Sequence, residues 1–254
     1  MNKKRQWRKS TSTAIYVPVA VLLIMFLAAF GTSAFLRIMY IEIVGASMYT
    51  EEEVINVAGI SSAGNLLYID IGAIKNSIYT NLPYINNVEI MRVLPDTILI
   101  EVTESTALAA IGYQNDILVI DSAGRVLERV DTVPPGLIEV RGFTPLDPEI
   151  GGVMKTELGG DEMRLQYLTE VLEAIEKAEI RSDVSYVDVA SIVGITFGYM
   201  DRFTVVIGGS SNVQHKLSRL PQTIDRINED FGLEETGRIN MSDSYAEWSF
   251  YQDR

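Results

Sequence analysis

Hydrophobic residues follow a different pattern in each part of this 254-residue chain. From residue 15 to residue 36 the sequence IYVPVAVLLIMFLAAFGTSAFL contains no charged side chain. A helix needs about 20 such residues to cross a bilayer, so this segment predicts a transmembrane helix. Pro18 is compatible with it, because the first turn of a helix lacks backbone acceptors in any case. After residue 38 the apolar residues recur with the shorter periods of water-soluble helices and strands.

Residues 38–105 predict a small domain with the element order β-α-α-β-β. The apolar run IMYIEIVG gives the first strand. Thr50 and Glu53 form a capping-box pattern at the start of the first helix, and Asp70 is placed to cap the second helix. Residues 86–104 then predict two strands joined by the turn LPDT.

Residues 106–254 predict a second α+β domain with a mainly antiparallel sheet and two packed helices. Amphipathic helices are predicted for residues 161–180 and for the segment after Asn212, which is placed to cap it. Pro221 interrupts the second helix, so this helix either kinks there or consists of two short helices. Short apolar runs predict strands at residues 117–120, 125–127, 137–140, 184–189, 192–197, 203–207, 238–242 and 246–251.

Positive charge is concentrated at the N-terminus. The basic residues that precede the apolar segment are Lys3, Lys4, Arg5, Arg8 and Lys9. The positive-inside rule then places residues 1–14 in the cytoplasm as a basic tail, residues 15–36 in the cell membrane as a single pass, and residues 37–254 outside the cytoplasm. The alternative is a cleaved signal peptide, because Thr32 and Ala34 resemble a cleavage site, although the apolar run exceeds the usual length of about 7–15 residues.

Composition removes several kinds of site. The chain has no cysteine and a single histidine, His215, which argues against disulfides, thiolate or His-cluster metal sites and a His-based catalytic triad. All 34 acidic residues lie after residue 36, and an acidic body repels the phosphates of nucleic acids. The sequence contains no P-loop, G-x-S-x-G or H-E-x-x-H pattern. We therefore predict no catalytic residue, cofactor, metal or small-molecule substrate.

Several stretches resemble one family. They are VGASMYTEEEV, NLLYID, LPYINNVEIMRVLPDTILIEVTE and LVIDSAGRVLE, followed by VVIGGSSNVQHKLSRL and GRINMSDSYAEWSF. In order and spacing they resemble the FtsQ/DivIB family of bacterial cell division proteins, and the β-α-α-β-β order is similar to that of a POTRA domain. The resemblance implies a short cytoplasmic tail, one membrane helix, a POTRA domain at residues 38–105 and a β-rich domain at residues 106–254.

The last strands carry the predicted binding site. Tyr245, Trp248, Phe250 and Tyr251 lie close together there. Aromatic side chains are frequent binding anchors, and a terminal strand at a sheet edge offers unpaired backbone groups. The same residues are equally suited to closing the domain's own core. The resemblance favours partner binding and implies a surface made of Asn240, Met241, Ser242, Asp243, Tyr245 and Trp248.

The function that the resemblance implies is that of a non-enzymatic scaffold of the divisome. Such a protein is expected to bind proteins of the FtsB/DivIC and FtsL type outside the cytoplasmic membrane, at the division septum. It is also expected to help control the septal wall synthase complex. Two alternatives stay open, namely a POTRA-bearing component of protein translocation or assembly, and an exported wall hydrolase.

Overall fold

Helix α1 covers residues 16–26, and every one of its side chains is exposed. It lies inside the predicted membrane segment 15–36, whose residues 27–35 are outside the part of the chain that the structure describes. The computed structural model describes residues 16–26, 36–61, 64–156, 160–191, 193–209, 211–242 and 248–252. Within those ranges we find no helix with both the length and the apolar character of a membrane span. The membrane helix therefore stays a prediction.

The chain divides into two units, and the first contains most of the residues of the POTRA prediction. Unit 1 comprises Met1–Ile78 and Asn87–Thr103, and unit 2 comprises Tyr79–Asn86 and Glu104–Arg254. The elements from residue 40 to residue 104 are β1 (Tyr40–Val44), α2 (Glu51–Ala58), α3 (Ile71–Asn81), β2 (Ile85–Val93) and β3 (Thr97–Glu104). The predicted order β-α-α-β-β is confirmed.

The helices of this region begin at the predicted capping residues. The Thr50 hydroxyl accepts from the Glu53 amide at 3.3 Å, and the Glu53 carboxylate accepts from the Thr50 amide at 2.8 Å. The carboxylate of Asp70 accepts from the Ala73 amide at 3.0 Å. Each bond satisfies one of the amides that a helix start leaves unpaired, which is why both helices begin where they do.

The sheet of unit 1 has the order β1-β3-β2, and β1 runs parallel to β3. Alternate residues of β3 are buried, namely Ile98, Ile100 and Val102. One face of the sheet therefore forms the core, to which the helices contribute the buried side chains of Val54, Ala58, Ile74 and Ile78. The other face is left for polar and exposed residues.

Unit 2 is built on one nine-stranded sheet with the order β12-β11-β10-β9-β8-β7-β4-β5-β6. Its strands are β4 (Ala109–Tyr113), β5 (Asp116–Ile120), β6 (Val126–Val130), β7 (Ile138–Arg141), β8 (Val184–Asp188), β9 (Ile195–Tyr199), β10 (Phe203–Gly208), β11 (Gly237–Asn240) and β12 (Ser249–Gln252). The sheet is mixed: β4–β7, β7–β8 and β10–β11 are parallel pairs, and the other five pairs are antiparallel, in line with the predicted mainly antiparallel sheet. Strand β4 was not predicted.

Two helices, α4 (Gly160–Lys177) and α5 (Val213–Phe231), pack against each other and supply one side of the core of unit 2. This confirms the predicted α+β arrangement with two packed helices. Helix α5 runs through Pro221 as one helix, so the alternative of two short helices is wrong. Asn212 adopts a φ of 59° and makes no side-chain capping bond. It therefore occupies the predicted position directly before α5, but its side chain does not cap the helix.

Candidate functional site

Strand β12 forms one end of the large sheet. It pairs antiparallel with β11, so that Arg238 stands opposite Tyr251 and Ile239 opposite Phe250. No strand in the described part of the chain lies on its outer side. The backbone N–H and C=O groups that point outward from β12 are therefore available to an added strand.

At the opposite end of the sheet, the first residue of β6 pairs with another segment of the chain. The Val126 amide donates to the Gly152 carbonyl at 2.8 Å, and the Gly151 amide donates to the Val126 carbonyl at 2.7 Å. Two arginines hold this covering segment, because Arg125 Nη1 donates to the Gly151 carbonyl at 2.5 Å and Arg129 Nη2 to that of Pro148 at 3.5 Å. Such coverage is a usual protection of an edge strand. Within the described residues, no such backbone pairing occurs on the outer side of β12.

The two faces of β12 differ sharply. Phe250 points to the core side, where its ring lies 6.1 Å from that of Phe203 and 5.2 Å from that of Phe231. Tyr251 points the other way, beside Arg238, and is 59% exposed. Phe250 therefore attaches the strand to the unit, whereas Tyr251 presents a large aromatic surface to solvent.

The predicted binding residues occupy different environments. Asn240 is half-buried, and its Oδ1 accepts from the Ser242 amide at 3.0 Å. Met241 is only 7% exposed and belongs to the core, Ser242 is exposed, and Trp248 packs partly buried against the core. Asp243 and Tyr245 lie outside the described residues. The structure thus brings Asn240, Met241 and Ser242 together at the end of β11, and a binding role for them stays a prediction.

Two residues that sequence reasoning missed make contacts at the end of β10, beside the end of β11. The backbone of Gly208 has a φ of 81°, and a Cβ there would stand 2.9 Å from the Ser242 Cβ. Lys216 is 7% exposed, and its Nζ donates to the Ile207 carbonyl at 2.7 Å. A buried lysine needs such partners to offset the loss of water. No local pattern reveals either role, because Gly208 meets a residue beyond β11 and the Lys216 bond joins helix α5 to strand β10.

The face of the sheet that carries Tyr251 is polar. Thr204 of β10 stands beside Arg238 of β11, and the hydroxyls of Thr204 and Tyr186 lie 3.5 Å apart. The Arg141 guanidinium stands 4.2 Å from the centre of the Tyr186 ring and pairs with Glu139 at 2.5 Å. Its hydrogen bond lowers the pKa of the Glu139 carboxyl. The ion pair is exposed to solvent, so it contributes little to the stability of the fold. Its charges make this face of the sheet hydrophilic.

The arrangement is suited to recognition. The described residues include no group of three or more His, Asp or Glu side chains placed to hold a metal ion. What the edge does provide is backbone pairing, the exposed ring of Tyr251 and the partly exposed ring of Trp248. These are the means by which an extended peptide is bound to a sheet.

The β-α-α-β-β order of residues 40–104 is that of a POTRA domain, and unit 2 adds a strand-rich sheet. The sequence model of the family described as "POTRA domain, FtsQ-type" matches residues 36–105. The match includes all the elements from β1 to β3.

Relatives extend the similarity over most of the chain. The chain is 26% identical to the cell division protein DivIB of Clostridium tetani over 209 residues, which cover 82% of this chain and 77% of the relative. It is 28% identical to DivIB of Clostridium acetobutylicum over 75% and 74% of the two chains, and 29% identical to FtsQ of Corynebacterium glutamicum over 64% and 73%. The chain is similar to the FtsQ and DivIB cell division proteins over most of its length, and the resemblance predicted from the sequence is confirmed. These relationships support a role in cell division.

Proposed function

We propose that this protein is a non-enzymatic scaffold of the bacterial division machinery that binds other division proteins along strand β12. One observation carries the proposal. Among the described residues, Val126 at the start of β6 pairs with another segment of the chain, which Arg125 and Arg129 also contact, whereas no strand lies on the outer side of β12. An uncovered edge strand invites aggregation unless a partner occupies it, so its retention favours a binding role.

The partners that we propose are coiled-coil division proteins of the FtsB/DivIC and FtsL type. A segment of such a partner adds to β12 as a further strand, while Tyr251 and Trp248 supply apolar contact area. Through this complex the scaffold helps to assemble and control the septal wall synthase. Residues 15–36 anchor it in the cell membrane, with the N-terminus in the cytoplasm and both units outside, at the division septum.

Replacement of the exposed aromatic residues tests this proposal. In the purified full chain, Tyr251→Ala and Trp248→Ala are each expected to weaken binding of a purified FtsB/DivIC-type partner at least tenfold, because truncation of a buried aromatic anchor costs about 2 kcal/mol or more. Affinity is measured by fluorescence anisotropy of the labelled partner.

Tyr40→Ala is the matched control. Tyr40 is 58% exposed, against 59% for Tyr251, but it lies in unit 1. The Tyr40 variant is expected to bind the partner normally. Unchanged affinity in both the Tyr251 and the Trp248 variants removes β12 from the proposal.

A further inference from the structure

Unit 1 exposes a group of large apolar side chains at one end of its sheet. Their exposed fractions range from 46% for Val93 to 84% for Tyr68. We name the group the proximal patch, and its members are Met39, Tyr40, Leu67, Tyr68, Val93 and Leu94. Single exposed apolar residues are ordinary on a soluble protein. A contiguous group of them marks a surface that is covered by a membrane or by another molecule.

Backbone hydrogen bonds bring the three segments of the patch together. The Leu66 amide donates to the Leu36 carbonyl at 2.7 Å, so the loop that carries Leu67 and Tyr68 starts beside Leu36. The Met39 amide donates to the carbonyl of Asp96 at 2.8 Å, which places the β2–β3 turn beside the start of β1.

Arg92 ties the loop to the hairpin. Its Nε donates to the Leu66 carbonyl at 2.8 Å, and its Nη2 donates to that of Ile69 at 3.1 Å. All three segments therefore surround the point where the chain leaves Leu36, the last residue of the apolar run 15–36.

The carboxylates of the same sheet are unevenly distributed along its strands. On the outer face, Tyr40 stands opposite Thr97 at the patch end, whereas Glu42 stands opposite Leu99 and Glu101 opposite Val44 farther along. The free carboxylates of this face are thus kept away from the patch. Near the patch, the carboxylates of Asp70 and Asp96 accept hydrogen bonds from Ala73 and Thr97, and the basic residues are Arg37 and Arg92.

We propose that the proximal patch rests in the interfacial layer of the membrane, among the lipid headgroups. The proposal depends on the membrane insertion of residues 15–36 given above. Tyr40 is four residues from Leu36, so it lies within about 15 Å of the end of the membrane segment at about 3.8 Å per residue. Tyrosine and aliphatic side chains are stabilised at this depth, where the apolar part is buried and the polar tip stays hydrated.

These contacts fix the orientation of the POTRA unit relative to the bilayer. A single tethering helix leaves a domain free to swing, whereas contacts from three separate segments hold it against the bilayer surface. The carboxylates of Glu42 and Glu101 then lie away from anionic lipid, which avoids like-charge repulsion.

Because the chain has no cysteine, single spin labels can be placed without background. We consider Tyr68→Cys and Leu94→Cys in the patch, Val44→Cys at the other end of the sheet as the matched control, and Ile24→Cys in the membrane segment. These positions are 84%, 66%, 53% and 65% exposed, so the substitutions disturb no core. The labelled full chains are reconstituted into phosphatidylcholine vesicles, and collisions of the label with oxygen and with a water-soluble nickel chelate are compared.

We expect the oxygen-to-nickel ratio at positions 68 and 94 to exceed that at position 44 at least threefold, and that at position 24 to be highest. Ratios at 68 and 94 equal to that at 44, with position 24 in lipid, overturn the patch and leave the membrane helix intact. Water exposure at all four positions overturns both. Spin–spin broadening between copies at 68 or 94 assigns the patch to a second copy and also overturns the proposal. None of these outcomes depends on partner binding at β12.

Discussion

Individual residues set the local geometry of this protein in two different ways. Thr50 and Asp70 act through bonds to residues three positions ahead, which is why sequence alone predicted both helix starts. Gly45, by contrast, has a φ of 91°, and a Cβ there would overlap the carbonyl oxygen of Val102. That constraint comes from a strand far along the chain, as does the contact of Gly208 with Ser242. Residue roles of this second kind are not visible in the sequence.

The capping box makes one pH-dependent prediction. Hydrogen bonds from the Thr50 backbone and side chain lower the pKa of the Glu53 carboxyl. A lowered folded-state pKa means that the ionised carboxylate stabilises the fold above its unfolded pKa of about 4.3, and that this contribution is lost as the pH falls through the folded pKa. In chemical denaturation, Thr50→Ala is expected to reduce the free energy of unfolding more at pH 7 than at about pH 3.

Thr50→Ser keeps the hydroxyl and serves as the control, with stability close to that of the unaltered chain at both pH values. A deficit of Thr50→Ala that is the same at both pH values contradicts the role assigned to Glu53.

At the scale of elements, the positions of long periodic helices and strands were predicted well from the sequence. The pairing of the strands was not predicted. Helix α4, the Asp121–Gly124 hairpin and the strands β8 to β11 fall near their predicted positions, because apolar periodicity and turn residues are local signals. Strand β4 was missed because AAIGY has small residues and no alternation. The parallel pairing of β10 with β11 joins strands separated by a whole helix, so no local pattern specifies it. The same limit applied to the candidate site, where the assignment of Met241 to the core and of Tyr251 to the surface required the register.

Phe250 and Tyr251 are neighbours in β12, and we expect the first to affect stability and the second to affect binding. Phe250→Ala is expected to lower the free energy of unfolding by about 2 kcal/mol, less than the 3–5 kcal/mol of a fully buried phenylalanine, because its ring is only partly buried. Tyr251→Ala should change stability by less than about 0.5 kcal/mol, since its ring makes no core contact. Denaturant unfolding of the two purified variants measures both values. Equal losses of stability contradict the assignment of the two faces.

For the whole molecule, charge and apolar surface are distributed by region. The N-terminal tail is basic, residues 15–36 are uncharged, and every acidic residue follows. The structure adds the exposed apolar end of unit 1 and the open β12 edge of unit 2, both of which depend on tertiary pairing. The resemblance to a family and the fold class could thus be predicted from motif order and periodicity. The location of the exposed surfaces was not, because exposure is a property of the assembled sheet.

Amide hydrogen exchange along β12 tests the central claim most directly. In the full chain, the amides of Ser249–Gln252 are expected to exchange at least tenfold more slowly once a saturating FtsB/DivIC-type partner is added, because an added strand supplies acceptors for the outward N–H groups. The amides of β6, at the opposite end of the sheet, should be unaffected. A partner that binds and slows exchange elsewhere while β12 stays unchanged would contradict the account.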